Sequence, residues 1–309
     1  MKNLVRRYHL GPFLGFVVLF IVLSIICPEF LTFNNLRNVA MQTSVNILLA
    51  AGMTFVILTS GIDLSVGSTL AVTAAISAQL MVAHVNPWLA MIIALIIGLL
   101  AGLLNGIFIA YGRLAPFIVT LGTMQLYRGI TEILTQGMPI FYLPHSFTSL
   151  GTAYVAGIPL PVIVTVIVLI MAWIILHKAV PGRRIYAIGG NEEVARLAGV
   201  SVKKYLLVVY MISGLLAALA GLVLTARLGS AEPTAGTGYE LDAIAAVVLG
   251  GTSLFGGEGT IVGTVIGGLI LGVIDNGLNL LSVNSFWQDA VKGAIILVAI
   301  LLDRKRPSR

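Results

Sequence analysis

The stretch Trp88 to Gly112, WLAMIIALIIGLLAGLLNGIFIAYG, runs for 25 residues without a charge. As a helix rising 1.5 Å per residue it reaches about 37 Å, more than the roughly 30 Å hydrocarbon core of a bilayer. Within it Gly98, Gly102 and Gly106 recur every four residues. Small residues at that spacing let helix backbones approach closely where lipid supplies no hydrophobic drive. The spacing returns at Ser213, Ala217 and Gly221, at Gly263 and Gly267, and at Gly268 and Gly272. Packing within the chain accounts for such stripes more readily than a dedicated dimer face.

Outward from this segment, comparable apolar runs lie near 11–31, 40–60, 66–84, 115–136, 162–179, 205–228, 240–256, 259–280 and 286–302. With 88–112 they make about ten membrane-spanning helices, an all-α polytopic protein. Composition agrees: 58% of the 309 residues are apolar and 10% charged, against about 45–50% and 25% in soluble domains. Ten spans leave only short connections, which excludes a sizeable extramembrane domain, so 1–309 reads as one transmembrane unit. The first run, Leu10 to Cys27, follows Lys2, Arg6 and Arg7. The bulky Ile25-Ile26-Cys27-Pro28 offers no small-residue cleavage site, so it reads as a retained helix. A lone cysteine, Cys27, forms neither an intrachain disulfide nor a cysteine metal site.

With both termini in the cytoplasm, the inner side holds Lys2, Arg6, Arg7, Arg113, Lys178, Arg183, Arg184, Arg196, Lys203, Lys204, Arg304, Lys305, Arg306 and Arg309. That is 14 of the 18 Lys and Arg residues. The formal charge of +6 is therefore a topology signal, not a nucleic-acid footprint. Ten spans also divide five and five, at about 1–155 and 156–309. An odd number of helices per half makes the second half an inverted copy, as in many transporters. Pro28 followed by Phe33–Val39 has a counterpart in Pro181 followed by Asn191–Val200. Asp63 and Asp242 open the third span of each half.

Enzymatic chemistry finds no support. The clusters Gly250-Gly251 and Gly256-Gly257 lack the lysine of a phosphate-binding loop. The sequence has no HExxH or GxSxG, and its four histidines lack metal-ligand spacing, so neither a catalytic residue nor a metal is expected. Polar residues inside spans are the alternative resource. Gln42, Thr43, Asn46, Asn105, Asn276 and Asn279 either line a passage for a neutral, hydroxyl-rich solute or bond helix to helix. Among the charges, Arg128 and Glu132 are four apart and suited to pair on one face, and Lys292 and Asp289 are three apart. Asp63 is placed to cap the next helix. A proton relay through these groups defines the alternative function, a proton-coupled secondary transporter of small neutral solutes.

The cytoplasmic stretch 178–204 is the most informative connection. Asn191 is a good helix N-cap, Glu192 and Glu193 suit the positive N-terminus, and Gly199 is a good stop. Val194, Leu197 and Ala198 fall on one apolar face of a helix of about two turns. Arg183 and Arg184 precede it; Arg196 lies within it; Lys203 and Lys204 follow. Such a helix either lies on the bilayer surface or docks a cytoplasmic partner.

The runs Gln42–Asn46 (QTSVN), Gly52–Ser68 (GMTFVILTSGIDLSVGS), Tyr186–Val202 (YAIGGNEEVARLAGVSV), Ala226–Thr264 (ARLGSAEPTAGTGYELDAIAAVVLGGTSLFGGEGTIVGT) and Leu271–Leu281 (LGVIDNGLNLL) resemble the ribose-type permease of bacterial ABC sugar importers, over most of the chain. That resemblance implies the membrane subunit of an importer for ribose or a related monosaccharide, working by alternating access in the cell inner membrane. It implies a homodimer with the sugar path at or near the subunit interface, a periplasmic sugar-binding protein outside, and a cytoplasmic ATPase subunit that binds ATP and Mg. It makes the Asn191–Gly199 helix, rimmed by Arg183, Arg184, Lys203 and Lys204, the coupling helix for that ATPase. The external Ser230–Tyr239 segment becomes a binding-protein contact or gate, carried by Glu232, Thr237, Tyr239 and Glu240. Glu232 stands where ribose permeases tend to carry Gln, and residues 137–161 match least.

Overall fold

The structure, a computed structural model, describes residues 10–304; Lys2, Arg6, Arg7, Lys305, Arg306 and Arg309 lie outside them. Helices carry the fold: α1 Leu10–Ile26, a 3-10 turn Pro28–Leu31, α2 Phe33–Leu58, α3 Val66–Val82, α4 Pro87–Ala110, α5 Pro116–Thr135, α6 His145–Thr152, α7 Leu160–His177, α8 Val180–Gly190, α9 Glu192–Leu197, α10 Val202–Leu228, α11 Tyr239–Leu249, α12 Ile261–Leu280 and α13 Ser285–Arg304. Between α6 and α7 a hairpin pairs β1 Tyr154–Val155 with β2 Ile158–Pro159. Its turn places both Ala156 and Gly157 at positive φ.

The helix starts follow from local chemistry. Pro87, Pro116 and Pro161 sit in first turns, where a missing N–H costs nothing. Asn86 caps α4 by accepting from Trp88 N at 2.9 Å, and Thr260 caps α12 by accepting from Gly263 N at 3.0 Å. Helices α2, α4, α7, α10 and α12 are long and apolar enough to cross a membrane; α1 and α3 are apolar but shorter. The other three segments read as spans coincide with α5, α11 and α13, of which α11 has only 11 residues. The protein is an all-α, multi-pass membrane protein.

The bundle has α2 at its centre, buried almost without interruption from Thr43 to Leu58. Around it the usual size order is inverted. On α4 the inward face is Ala90, Ala94, Gly98, Gly102 and Gly106, while Ile92, Ile96 and Leu100 face outward. Large aliphatic residues outside and small ones inside are what close helix packing within lipid requires. The Gly98-Gly102-Gly106 stripe meets α10: a Cβ on Gly102 would strike the carbonyl of Tyr210 and lie 3.0 Å from Met211 Cα. Gly221 presses on Leu70 of α3, and Gly267 on Ala246 of α11. Gly268 lies against Ile47 and Gly272 against Thr43, both of α2, so all four stripes serve contacts within the chain.

Gly102→Val drives a branched side chain into backbone that cannot yield, and is expected to cost about 3 kcal/mol or more. Gly122→Val, at a glycine of α5 with nothing within 4 Å, is the matched control. Thermal unfolding of the two variants in detergent should separate them clearly.

Two interruptions carry the chain into the bundle interior. After α2, the segment Thr59–Ser65 turns while staying largely buried before α3 begins. After α10, the segment Gly229–Gly238 turns before α11 with Ser230, Ala231, Pro233 and Gly236 buried, Thr234 and Thr237 exposed, and Gly236 and Gly238 at positive φ. The two meet where a Cβ on Gly67 would strike the Gly236 carbonyl and lie 2.7 Å from Glu240 Oε2.

Candidate functional site

A cavity of about 160 Å³ lies among α2, α10, α11, α12 and α13. From α2 come Gln42, Thr43 and Asn46; from α10 Arg227; from α11 Tyr239 and Asp242; from α12 Asp275; from α13 Lys292. The Lys292 ammonium stands 3.3 Å from Asp242 Oδ2 and 3.2 Å from Asp275 Oδ2. Charges at membrane depth are costly and persist where they are partnered. Here the partners come from three helices, so the ions tie α11, α12 and α13 together. Around them sit amides, a hydroxyl and a phenol. The cavity offers many donors and acceptors with two acids balanced by two bases, which suits an uncharged solute bearing several hydroxyls. Asp289, the partner expected for Lys292 from spacing, has its side chain outside the described residues.

The other polar residues assigned to a pathway sit elsewhere. Asn105 of α4 is fully buried: its amide donates to Ser65 Oγ at 2.9 Å, and its carbonyl accepts from Thr123 Oγ1 at 2.7 Å. Asp63 completes this network by accepting from Ser65 N at 3.0 Å, from Ser65 Oγ at 2.6 Å and from Ser213 Oγ at 2.7 Å. Asp63 therefore does bond the backbone ahead of α3, as expected of a cap, and its second oxygen reaches α10. Asn276 exchanges two amide hydrogen bonds with Asn35, at 2.9 and 2.8 Å, joining α12 to the start of α2. Asn279, exposed, accepts from Gln288 Nε2 at 2.9 Å.

In the stretch 178–204, α9 has the caps its sequence implies. Asn191 accepts from Val194 N at 3.0 Å, and Gly199 has φ +83°. Glu193 pairs with Arg196 at 2.5 Å on the surface. The helix buries Ala195 against the bundle and leaves Val194 60% and Leu197 78% exposed. The basic residues divide. Arg184 donates to Tyr205 OH at 2.7 Å and Lys203 lies 5.1 Å from the Tyr111 ring centre; these two, like Arg183 and Lys204, are exposed.

The 230–239 segment is firmly held. Ala231 exchanges two 3.0 Å backbone hydrogen bonds with Ile140, and Ser230 donates to Glu232 at 2.7 Å. Arg128 of α5 donates to the carbonyls of Pro233 and Ala235 at 2.7 and 2.9 Å. This corrects the pairing expected between Arg128 and Glu132: no ion pair joins them among the described residues, because the guanidinium spans to these carbonyls instead. Thr237 donates to the Thr234 carbonyl and is exposed.

The family described as branched-chain amino acid transport system / permease component matches residues 35–300. The chain belongs to this permease family. It is 55% identical over 299 residues to the ribose import permease protein of Bacillus subtilis, covering 96% of this chain and 93% of that one. To the ribose import permease protein of Escherichia coli K12 it is 51% identical over 315 residues, covering 97% of each. To the D-allose transport system permease protein of Escherichia coli K12 it is 45% identical over 296 residues, covering 95% and 91%. No solved structure matches the chain.

In this permease Gln42, Thr43 and Asn46, assigned from sequence to a pathway, line the cavity beside four charged residues that were not assigned to one. Arg227, Asp242, Asp275 and Lys292 lie on four different helices, so no local spacing joins them. The available signal was that ionisable residues inside spans tend to seek one another. Reading Lys292 against Asp289, three positions away, hid the two carboxylates it reaches across the bundle.

Proposed function

We propose that this chain is the membrane subunit of a bacterial ABC importer for ribose or a related monosaccharide. The observation that carries it is the near full-length identity, above one residue in two, to ribose import permeases of two distant bacteria. The cavity supports the sugar reading over the amino acids of the family's description. A free amino acid carries an ammonium and a carboxylate, each wanting its own counter-charge; here both acids on the cavity, Asp242 and Asp275, are already engaged by Lys292.

In this reading the ATP and Mg are bound by a separate ATPase subunit, and this subunit performs no bond chemistry. Closure of the ATPase moves α9, a docked periplasmic binding protein releases sugar from outside, and the bundle alternates its access. Gln42, Thr43 and Asn46 line part of the sugar's way. The segment with Glu232, Thr237, Tyr239 and Glu240 receives the binding protein or gates the path, steadied by Arg128. A second copy of the chain completes a homodimer. Ten spans with both termini cytoplasmic form two inverted halves. Supporting that repeat, α2 packs on α11 and α12 as α10 packs on α3 and α4, and each half is interrupted before its third helix.

A labelled-uptake assay tests the substrate class. Deleting the gene should abolish uptake of a labelled pentose at micromolar concentration, and excess leucine should not compete. Competition by leucine, with unlabelled ribose ineffective, would overturn the sugar reading.

A further inference from the structure

We propose that the loop joining α11 to α12, tipped by Phe255, is a second docking element for the ATPase subunit, adjoining α9. This rests on the reading of α9 as the coupling helix.

Phe255 is 78% exposed, yet the loop beneath it is rigidly built. Ser60 Oγ donates to the Phe255 carbonyl at 2.7 Å, Gly257 N donates to the Leu58 carbonyl at 3.1 Å, and Tyr186 OH donates to the Gly259 carbonyl at 2.8 Å. Inside the loop, Ser253 N donates to the Glu258 carbonyl at 2.9 Å and Phe255 N to Ser253 Oγ at 3.2 Å. Gly256 and Gly257 have φ +83° and +71°, conformations that side chains other than glycine rarely adopt. Three elements therefore pin the backbone, and the pinning holds a large aromatic side chain outward.

Continuity selects the occupant. Gly256 and Gly257 pack directly on Gly189 and Gly190, the residues just before the Asn191 cap of α9. Leu197, Val194 and Phe255 thus belong to neighbouring segments on one side of the membrane, with Arg183 and Lys204 exposed close by in sequence. A partner offering apolar pockets and an acidic rim fits both. Rigid aromatic anchors in such pockets dominate interface energies. The loop also leads into the site by a short route: α11, 11 residues and about 16 Å long, runs from it to Tyr239 and Asp242 on the cavity. Through Leu58 and Ser60 it touches the end of α2, just ahead of the Asp63 turn. Force on Phe255 is therefore delivered to both interrupted regions without passing along the 27-residue α10.

The test is photo-crosslinking in the importer assembled with its ATPase subunit in nanodiscs, with p-benzoylphenylalanine placed at position 255 and, separately, at 197. Adducts to the ATPase from both positions are expected. Adducts from 197 to the ATPase, with 255 labelling only lipid or a second permease copy, overturn the loop proposal and leave α9 standing. Absence of ATPase adducts from both overturns α9 coupling as well. In a binding assay Phe255→Asp should weaken ATPase affinity about tenfold while Phe255→Leu retains most of it; unchanged affinity for Phe255→Asp overturns the proposal.

Discussion

Replacing Leu197 with Asp is expected to abolish stable association with the ATPase subunit while the chain still inserts and folds. Leu197 is 78% exposed on a helix whose cap and acidic first turn are already satisfied within the chain. Its removal takes nothing from the bundle, which α9 meets through Ala195. At a docked interface, the same change loses an apolar anchor and buries an unpaired carboxylate. Those two effects together cost about 4 kcal/mol or more, close to a thousandfold in affinity. Deleting residues 191–199 should have the same consequence. Glu193→Ala breaks only an exposed surface pair and should change affinity by less than about 0.5 kcal/mol. Co-purification with a tagged ATPase, scored beside monodispersity of the permease alone, checks all three. Undiminished co-purification of Leu197→Asp would remove α9 from the coupling account.

Lys292→Met should be the most damaging single change in the cavity. It takes away the cation that Asp242 and Asp275 share at 3.3 and 3.2 Å, leaving two partly buried carboxylates without it. Breaking such a cluster by removing one member costs about 3–5 kcal/mol. Lys292→Arg keeps the charge and should retain much of the stability. Adding Asp242→Asn and Asp275→Asn to Lys292→Met removes the two carboxylate charges that the ammonium offset and should recover a large share of the loss. Thermal unfolding of the four forms checks this, with sugar uptake as a second readout. If Lys292→Met alone matches the parent in both, the cluster is not what holds α11, α12 and α13 around the cavity.

Much of the architecture was legible because the membrane simplifies the rules. Long uncharged runs such as 88–112 have one stable fate in lipid, and four-residue glycine spacing on α4 marks a close helix contact wherever it occurs. The α9 helix was legible for a different reason: caps are local, and Asn191, Glu192, Glu193 and Gly199 declare themselves within nine positions. What stayed hidden is non-local. Nothing near Asp63 announces Ser213, 150 residues away, and nothing near Arg128 announces the carbonyls of Pro233 and Ala235. The amides Asn105 and Asn276 illustrate the ambiguity of polar residues in spans. Passage lining and helix tying ask for the same chemistry, and only the fold shows that these two bond neighbouring helices while Gln42, Thr43 and Asn46 open onto a cavity.

The most direct test of the account is sugar uptake into proteoliposomes containing this permease, with and without its ATPase and binding protein. The account predicts ribose accumulation that requires all three components and internal ATP. Accumulation by the permease alone, driven by a proton gradient, would contradict it.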